Sequence, residues 1–146
     1  MRRLTGRSGL SVSANTLCVS PERVPAIWPH VEVWIEDAVE RCGDWTVSEI
    51  YSALQSGSML LWVRWDGEAL KSAAVSHVSI VPRGKVCRII ACGGSSDGDW
   101  KAALAPIECY AKEIRCVAMR IHGRPAWSKV FNDYDLEWVA LEKRLT

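Results

Sequence analysis

The sequence is poor in the features that identify a function by themselves. It has no apolar run near the roughly 20 residues that a membrane-spanning helix needs, and its N-terminus lacks the apolar segment of a signal peptide. Its six cysteines form no Cys-x-x-Cys pair, and its three histidines are dispersed. These absences argue against a membrane protein, a disulfide scaffold and a Cys/His metal site, so we expect a cytoplasmic protein with buried thiols.

The chain also lacks an excess charge of either sign. Its 18 basic and 17 acidic residues leave no global field that would favour nucleic acid or a membrane surface. The N-terminal segment is an exception to this charge balance, because Arg2, Arg3 and Arg7 lie there among Gly and Ser. We expect a flexible basic arm over residues 1–9, with nucleic-acid contact as the alternative, followed by one domain over residues 10–146.

Motifs of two large enzyme classes are missing as well. No Gly-x-Ser-x-Gly elbow and no plausible Ser-His-Asp order point to a hydrolase, and no Gly-Lys-Ser or Gly-Lys-Thr points to a nucleotide-binding loop. What the sequence does contain is clear periodicity, which predicts the order β-α-α-β-β-β-α-β-α-β. We expect strands at 17–20, 59–65, 69–81, 86–92, 116–121 and 136–141, and helices at 24–42, 47–56, 100–114 and 125–131.

Several local signals support this order. Thr46 and Glu49 have the spacing of a capping box, Gly57 is placed to end that helix, and Asp66-Gly67 is typical of a hairpin turn. Prolines predict a step in the first helix at Pro29 and a kink or restart of the third at Pro106. Residues 59–65 are apolar on both faces, which predicts a central strand or a strand that meets another subunit.

A glycine-rich turn, Gly93-Gly94-Ser95-Ser96-Asp97-Gly98, joins the fourth strand to the third helix. Glycines allow close backbone approach, and the amides at a helix N-terminus can bind an anion, so this arrangement predicts a phosphate cradle. The carboxylates of Asp97 and Asp99 oppose that use, because they neutralise the helix dipole and repel an anion.

The element order, with its glycine turn after the fourth strand, resembles that of the GNAT N-acetyltransferase superfamily over residues 17–145. Short stretches are similar, more narrowly, to the GNAT-like proteins encoded by tailed phages and prophages. These stretches are Leu61-Trp62-Val63, Cys92-Gly93-Gly94 with Trp100, residues 107–112, and Gly123-Arg124-Pro125-Ala126-Trp127. The implied fold is an α+β, mixed and mostly antiparallel sheet flanked by helices.

The resemblance implies a cofactor, acetyl-coenzyme A, lying in a gap between the fourth and fifth strands. Its pyrophosphate would be held by main-chain amides of Gly93, Gly94, Ser95, Ser96 and Gly98. The family's usual turn follows the pattern Arg/Gln-x-x-Gly-x-Gly/Ala. The turn in this sequence has neither that spacing nor a basic residue. Arg124, fixed between a glycine and a proline, is a further candidate for holding an anionic ligand or, alternatively, for a structural pairing.

The resemblance also implies a base that deprotonates an amine and a tyrosine that protonates the thiolate. His77 and His122, the histidines on predicted sheet elements, are the candidate bases, with a structural role as the alternative for each. Aligning the family pattern places Phe131 where the tyrosine belongs, and Phe131 cannot donate a proton. Tyr134, three residues on, is the candidate replacement, or else an aromatic at the core edge.

Three hypotheses for function remain open at this point. The first is an acetyl-coenzyme A-dependent N-acyltransferase that modifies an amine. The second is an inactive GNAT-fold virion or assembly protein that acts through contacts with phage or host proteins, or as a homo-oligomer. The eight tryptophans favour it, since Trp45 and Trp65 beside turns could serve as anchors. The third is a sensor that binds acyl-coenzyme A without reacting.

Overall fold

The structure is a computed structural model that describes residues 15–42, 44–95, 99–123, 127–137 and 139–145. Within these ranges a five-stranded sheet, with its strands in chain order, is flanked by helices on both faces. The elements are β1 (Asn15–Val19), a 3-10 turn (Pro21–Arg23), α1 (Val24–Cys42), α2 (Val47–Ser56), β2 (Met59–Trp65), β3 (Leu70–Val81), β4 (Gly84–Gly94), α3 (Trp100–Glu113), β5 (Ala118–Ile121) and α4 (Trp127–Val130).

The first four strands pair antiparallel with their neighbours, and β5 joins β4 in parallel. This mixed, mostly antiparallel sheet confirms the expected fold class. Strand β2 is central, as its two apolar faces predicted. Its Leu61 and Val63 belong to the core under α1 and α2, whereas Trp62 belongs to the core under α3. The alternation along β2 therefore supplies both cores at once.

The local signals form as the sequence predicted. The Thr46 hydroxyl accepts a hydrogen bond from the Glu49 amide at 3.1 Å, and the Glu49 carboxylate accepts one from the Thr46 amide at 3.2 Å. Gly57 ends α2 in the left-handed conformation at φ 82°. In the β2–β3 turn, Asp66 Oδ1 accepts the amides of Glu68 and Ala69 at 2.8 Å each. These bonds join residues at most three apart, so the sequence alone determines them.

Neither helix is interrupted at Pro29 or Pro106, so the restart expected at Pro106 is wrong, while the step at Pro29 and the kink at Pro106 stay predictions. Helix α1 runs from Val24 to Cys42 through Pro29, and α3 runs from Trp100 to Glu113 through Pro106. A proline removes one helical hydrogen bond and crowds the preceding turn. Packing outweighs that cost here, because Trp28 and Ile107, which each adjoin a proline, are buried in the core.

The expected sixth strand at 136–141 is not observed, since no strand occurs in the described parts of the C-terminal segment, 131–137 and 139–145. Its large apolar residues favour a strand, but a strand also needs a paired neighbour, and β5 pairs with β4 in the described sheet. The segment instead leaves large apolar side chains exposed, namely Leu136, Val139, Leu141 and Leu145.

The thiols differ from the expectation of burial. Cys87 is fully buried, whereas Cys109 is exposed, and Cys18, Cys92 and Cys116 are intermediate; all five are free. Among the residues described, no group of His, Cys, Asp or Glu has the arrangement of a metal site. No described helix is long and apolar enough to cross a membrane.

Candidate active site

Strands β4 and β5 separate partway along their length. Their last paired residues are Ile89 and Ile121, while β4 continues to Gly94. A β-bulge lies at the same place on β4. Val75 on β3 pairs with Ala91, and Ser76 pairs with Ile89, so Ile90 is the extra residue of the bulge. The last hydrogen bond between the two strands is donated by the His122 amide to the Ile89 carbonyl at 3.3 Å.

A cleft of about 800 Å³ opens where the strands separate. Its volume lies within the range typical of small-molecule sites. Helix α1 forms one wall, the end of β4 another, and two tryptophans close it from the side of α3 and α4. The described lining residues that the following paragraphs use are Trp34, Asp37, Ala38, Arg41, Lys71, Ile90, Gly93, Gly94, Ser95, Trp100, His122 and Trp127.

The two glycines at the end of β4 allow α1 and β3 to pack closely. A Cβ on Gly93 would lie 2.9 Å from the main-chain oxygen of Trp34. A Cβ on Gly94, which has φ +98°, would lie 2.5 Å from the main-chain oxygen of Lys71. The Ser95 amide donates to that same oxygen at 2.7 Å. Three members of the predicted cradle therefore line the cleft, but the glycines are required by packing, and the Ser95 amide is already engaged.

The remaining members of the predicted cradle, Ser96 and Gly98, lie outside the described residues, as do Asp97 and Arg124. The start of α3 is described. Asp99 caps it, and its carboxylate accepts the Ala102 amide at 3.1 Å. This carboxylate occupies the place at the helix N-terminus that an anion would need.

Basic groups near the start of α3 are engaged elsewhere. Lys101 donates to Asn132 Oδ1 at 3.1 Å and lies 3.8 Å from an Asp133 carboxylate oxygen. Arg64 donates to the main-chain oxygen of Asp99 at 3.0 Å. Arg41 and Lys71 line the cleft, together with the carboxylate of Asp37 in the described part of the chain. Lys71 is already paired, because its Nζ lies 3.3 Å from Asp66 Oδ2.

His122 lies in the cleft, at the point where the strands separate. Burial lowers its pKa, the nearby Arg88 and Arg120 lower it further, and Asp44 acts in the opposite direction. The lowered pKa keeps the imidazole neutral near pH 7, and a neutral imidazole can accept a proton. Of the predicted catalytic residues, His122 is the one that the structure places in the cleft.

His77 lies deeper on the same face of the sheet and is not among the described lining residues. It pairs with Arg88 across β3 and β4, and its ring meets the edge of Trp45 with centroids 5.8 Å apart. Burial and the charge of Arg88 lower its pKa. His77 and His122 thus share Arg88 as a neighbour, although they occupy different environments.

Tyr134 lies on the other face of the sheet. Its hydroxyl donates to Glu108 on α3 at 2.6 Å, and burial together with that carboxylate raises its pKa well above the ordinary value. It borders a separate groove of about 360 Å³. Phe131, at the position where the resemblance places the tyrosine, is 2% exposed and packs between Trp127 and Tyr134. The structure therefore does not bring Tyr134 and His122 together.

Sequence reasoning did not assign the helical wall of the cleft. Trp34, Ala38 and Arg41 are spaced at i, i+4 and i+7, so they lie on one face of α1. That spacing is visible in the sequence, but a periodic apolar face on a helix ordinarily indicates packing against the core. Its position over β4 follows from tertiary packing, in which α1 contacts β4 and β3.

No family model matches this chain, and no curated protein matches it in sequence. Solved structures do match it in fold. A ribosomal-protein-alanine N-acetyltransferase from Brucella melitensis biovar Abortus 2308 has a TM-score of 0.64 at 12% identity, covering 92% of this chain and 100% of that one. A GNAT family acetyltransferase from Staphylococcus aureus has a TM-score of 0.60 at 14% identity, covering 91% of this chain and 99% of that one.

A predicted acetyltransferase from Clostridium acetobutylicum, solved with acetyl-CoA, gives a TM-score of 0.62 at 11% identity and covers 92% of this chain and 96% of that one. At such identities the likeness concerns the fold. The sheet and helices described above are therefore those of the GNAT acetyltransferase fold, as the resemblance implied.

Proposed function

We propose that this chain is an acetyl-CoA-dependent N-acetyltransferase that acts in the cleft between β4 and β5. The observation that carries the proposal is the separation of the two strands after Ile89 and Ile121, with His122 at its apex. Solved acetyltransferases of the same fold, one of them containing acetyl-CoA, support it. Fold alone does not establish activity, so the argument rests on what the cleft residues can do.

The described residues fit the acyl arm of the cofactor. Past Ile90, β4 has an edge that is not paired with β5, and an extended ligand with amide groups can bind such an edge as an added strand does. Trp100 and Trp127 offer apolar walls, and Arg41 offers positive charge for phosphates. The charge of Lys71 is partly balanced by Asp66, whose Oδ2 lies 3.3 Å from Nζ. The capping carboxylate of Asp99 is a poor match, and so is the Ser95 amide, which already donates to the Lys71 main-chain oxygen. Acetyl-CoA, when bound, supplies the acetyl group that an amine accepts.

His122 acts as the general base in this proposal. An amine must lose a proton before it can attack a carbonyl carbon, and at neutral pH most amines are protonated. The lowered pKa of His122 keeps its imidazole neutral under these conditions, with one ring nitrogen able to accept a proton. Its position at the apex of the cleft places this base beside the end of the open β4 edge.

Calorimetric titration with acetyl-CoA, followed by mass spectrometry of acetylated amines, tests the proposal. We expect a dissociation constant in the micromolar range. His122→Gln should then lower kcat about 10²- to 10⁴-fold with little effect on cofactor affinity. His30→Gln, on the exposed face of α1, is the matched control and should behave as wild type.

Two results would contradict the proposal. Absence of binding at millimolar acetyl-CoA would favour the alternative of an inactive fold that acts through protein contacts. Binding without acetylation of any amine would favour the sensor. The expected phage or prophage origin, virion association and homo-oligomer stay predictions.

A further inference from the structure

Three basic side chains lie side by side across the sheet below the cleft. His77 on β3 pairs with Arg88 on β4, and Arg88 pairs with Arg120 on β5. Directly paired residues project from the same face of a sheet, so these three side chains form one row. Like charges at directly opposite positions are unfavourable, and the Arg88–Arg120 pair is such a case.

Two buried polar atoms lie on the same face and lack a partner. Arg88 Nε and Ser79 Oγ are both buried and make no hydrogen bond within the described parts of the chain. Ser79 lies two residues from His77 on β3 and pairs with Val86, two residues before Arg88, so it shares their face. Buried polar groups are normally satisfied, so two unpaired groups in adjacent strands favour binding of an acceptor at this place.

The charges around the row are mainly positive. Neither Arg88 nor Arg120 forms a salt bridge with any described residue. Asp44, just after α1, is the carboxylate close enough to influence His122, while Arg41 at the end of α1 adds another positive charge at the cleft. The carboxylates of Asp37 and Asp44 do not balance the three arginines on this face, so a further negative charge is favoured there. Arg120 also borders the groove beside Tyr134, which is lined by Asp133 and Asp135.

We propose that Arg88, Arg120 and Ser79 bind an oxyanion, either a carboxylate or a phosphate, carried by the amine that is acetylated. The proposal rests on the proposed function and specifies the acceptor class of that same site. Guanidinium groups are suited to both anions, because their planar N–H donors match two oxygens at once. The Ser79 hydroxyl would add a further hydrogen bond.

The position of the row indicates that it binds the acceptor amine and not the cofactor. Arg88 is six residues before Gly94 on β4, a separation of about 20 Å along an extended strand. The glycine end of β4 is where the resemblance places the cofactor's diphosphate. His122 lies between these two ends and is influenced by both arginines. An acceptor anchored at the row would therefore have its amine on the side of the base.

Three related amines distinguish the two anions and the uncharged case: O-phosphoethanolamine, serine and ethanolamine. They share an amine on a short chain, and they differ in carrying a phosphate, a carboxylate or neither. We expect acetylation of one of the two anionic amines with a kcat/KM at least tenfold above that of ethanolamine. The anionic amine with the higher kcat/KM shows whether the site prefers a phosphate or a carboxylate. Equal kcat/KM for all three would overturn the proposal.

Substitutions test the residues themselves. Arg88→Met and Arg120→Met should each lower kcat/KM for the preferred anionic amine at least tenfold more than for ethanolamine, because any change in the pKa of His122 affects both amines alike. Arg83→Met, an exposed arginine in the β3–β4 turn, removes the same charge outside the row and is the control. Ser79→Ala should give a smaller loss without altering charge. A loss that is equal for all three amines would contradict an anion site.

Binding to the cofactor-free protein keeps this proposal separate from the proposed function. O-phosphoethanolamine and serine are titrated at constant ionic strength and followed by NMR shifts of the Arg88 and Arg120 side chains. Saturable binding that Arg88→Met abolishes and Arg83→Met retains would support the site even if no acetyl transfer occurs. Saturable binding of neither compound to the wild type would overturn the site even if the protein proves to be an acetyltransferase.

Discussion

The main-chain oxygen of Trp34 lies so close to Gly93 that a Cβ on that glycine would be 2.9 Å from it. Helix α1 therefore rests directly on the end of β4 with no space for a side chain. Both residues line the cleft, and their contact explains a glycine that the sequence had assigned to phosphate binding. Close packing and ligand approach both favour glycine, and here packing is the observed cause.

Gly93→Ala tests that contact. Because the added methyl group would meet main-chain atoms of Trp34, which cannot turn away, we expect the free energy of unfolding to fall by about 1–3 kcal/mol. Urea denaturation measures the change, with the exposed Ser48→Ala on α2 as control. Unchanged stability would mean that α1 does not pack on β4 as described.

Asp99→Asn tests the charge at the start of α3. Asparagine caps a helix about as well as aspartate, so stability should change by no more than about 0.5 kcal/mol. Removal of the negative charge should tighten binding of acetyl-CoA, since a phosphate and the Asp99 carboxylate compete for the same helix end.

Calorimetry of wild type, Asp99→Asn and Asp99→Ala separates the two effects. The alanine variant should lose about 1 kcal/mol of stability with its cap, whereas both variants lose the charge. Equal affinity in all three would show that no phosphate approaches this helix end.

Tyr134→Phe separates a structural from a catalytic role for this tyrosine. The hydroxyl bonds to Glu108 on the side of the sheet opposite His77 and Arg88, so its removal should cost about 1 kcal/mol of stability. We expect kcat to stay within twofold of wild type, because the hydroxyl does not line the cleft. A tenfold drop in kcat with unchanged stability would restore Tyr134 as the general acid.

Stability should fall as the pH decreases below the ordinary histidine pKa of 6.5, because His77 and His122 both have lowered pKa values in the fold. Between the lowered value and 6.5, the unfolded chain binds more protons than the folded one. The contribution of these histidines to stability is therefore complete above pH 6.5 and is lost as the pH falls toward their folded pKa.

Urea denaturation at about pH 7.5 and pH 5.5 measures this dependence, in a range above most carboxylate titrations. The double variant His77→Gln with His122→Gln should show a smaller decrease than wild type, and His30→Gln should show the same decrease. An equal decrease in all three proteins would indicate that neither histidine has a lowered pKa.

The sequence was sufficient for features that depend on neighbouring residues. The capping box at Thr46 and Glu49, the turn at Asp66 and the left-handed Gly57 each involve contacts within a few residues, and all are present. The two apolar faces of β2 correctly predicted a central strand. Local signals failed where tertiary packing opposed them, as at Pro106, which α3 accommodates, and in residues 136–141, which lack a paired strand.

The candidate site depended on relationships that no local pattern encodes. The sequence by itself determined the order of the first nine elements and the positions of the glycines and histidines along them, because these follow from residue type and spacing. Tertiary structure decided which histidine reaches the cleft, that Gly93 packs on Trp34, and that His77, Arg88 and Arg120 form one row. Each of these depends on strand register and on the bulge at Ile90, which are fixed by pairing between distant segments of the chain.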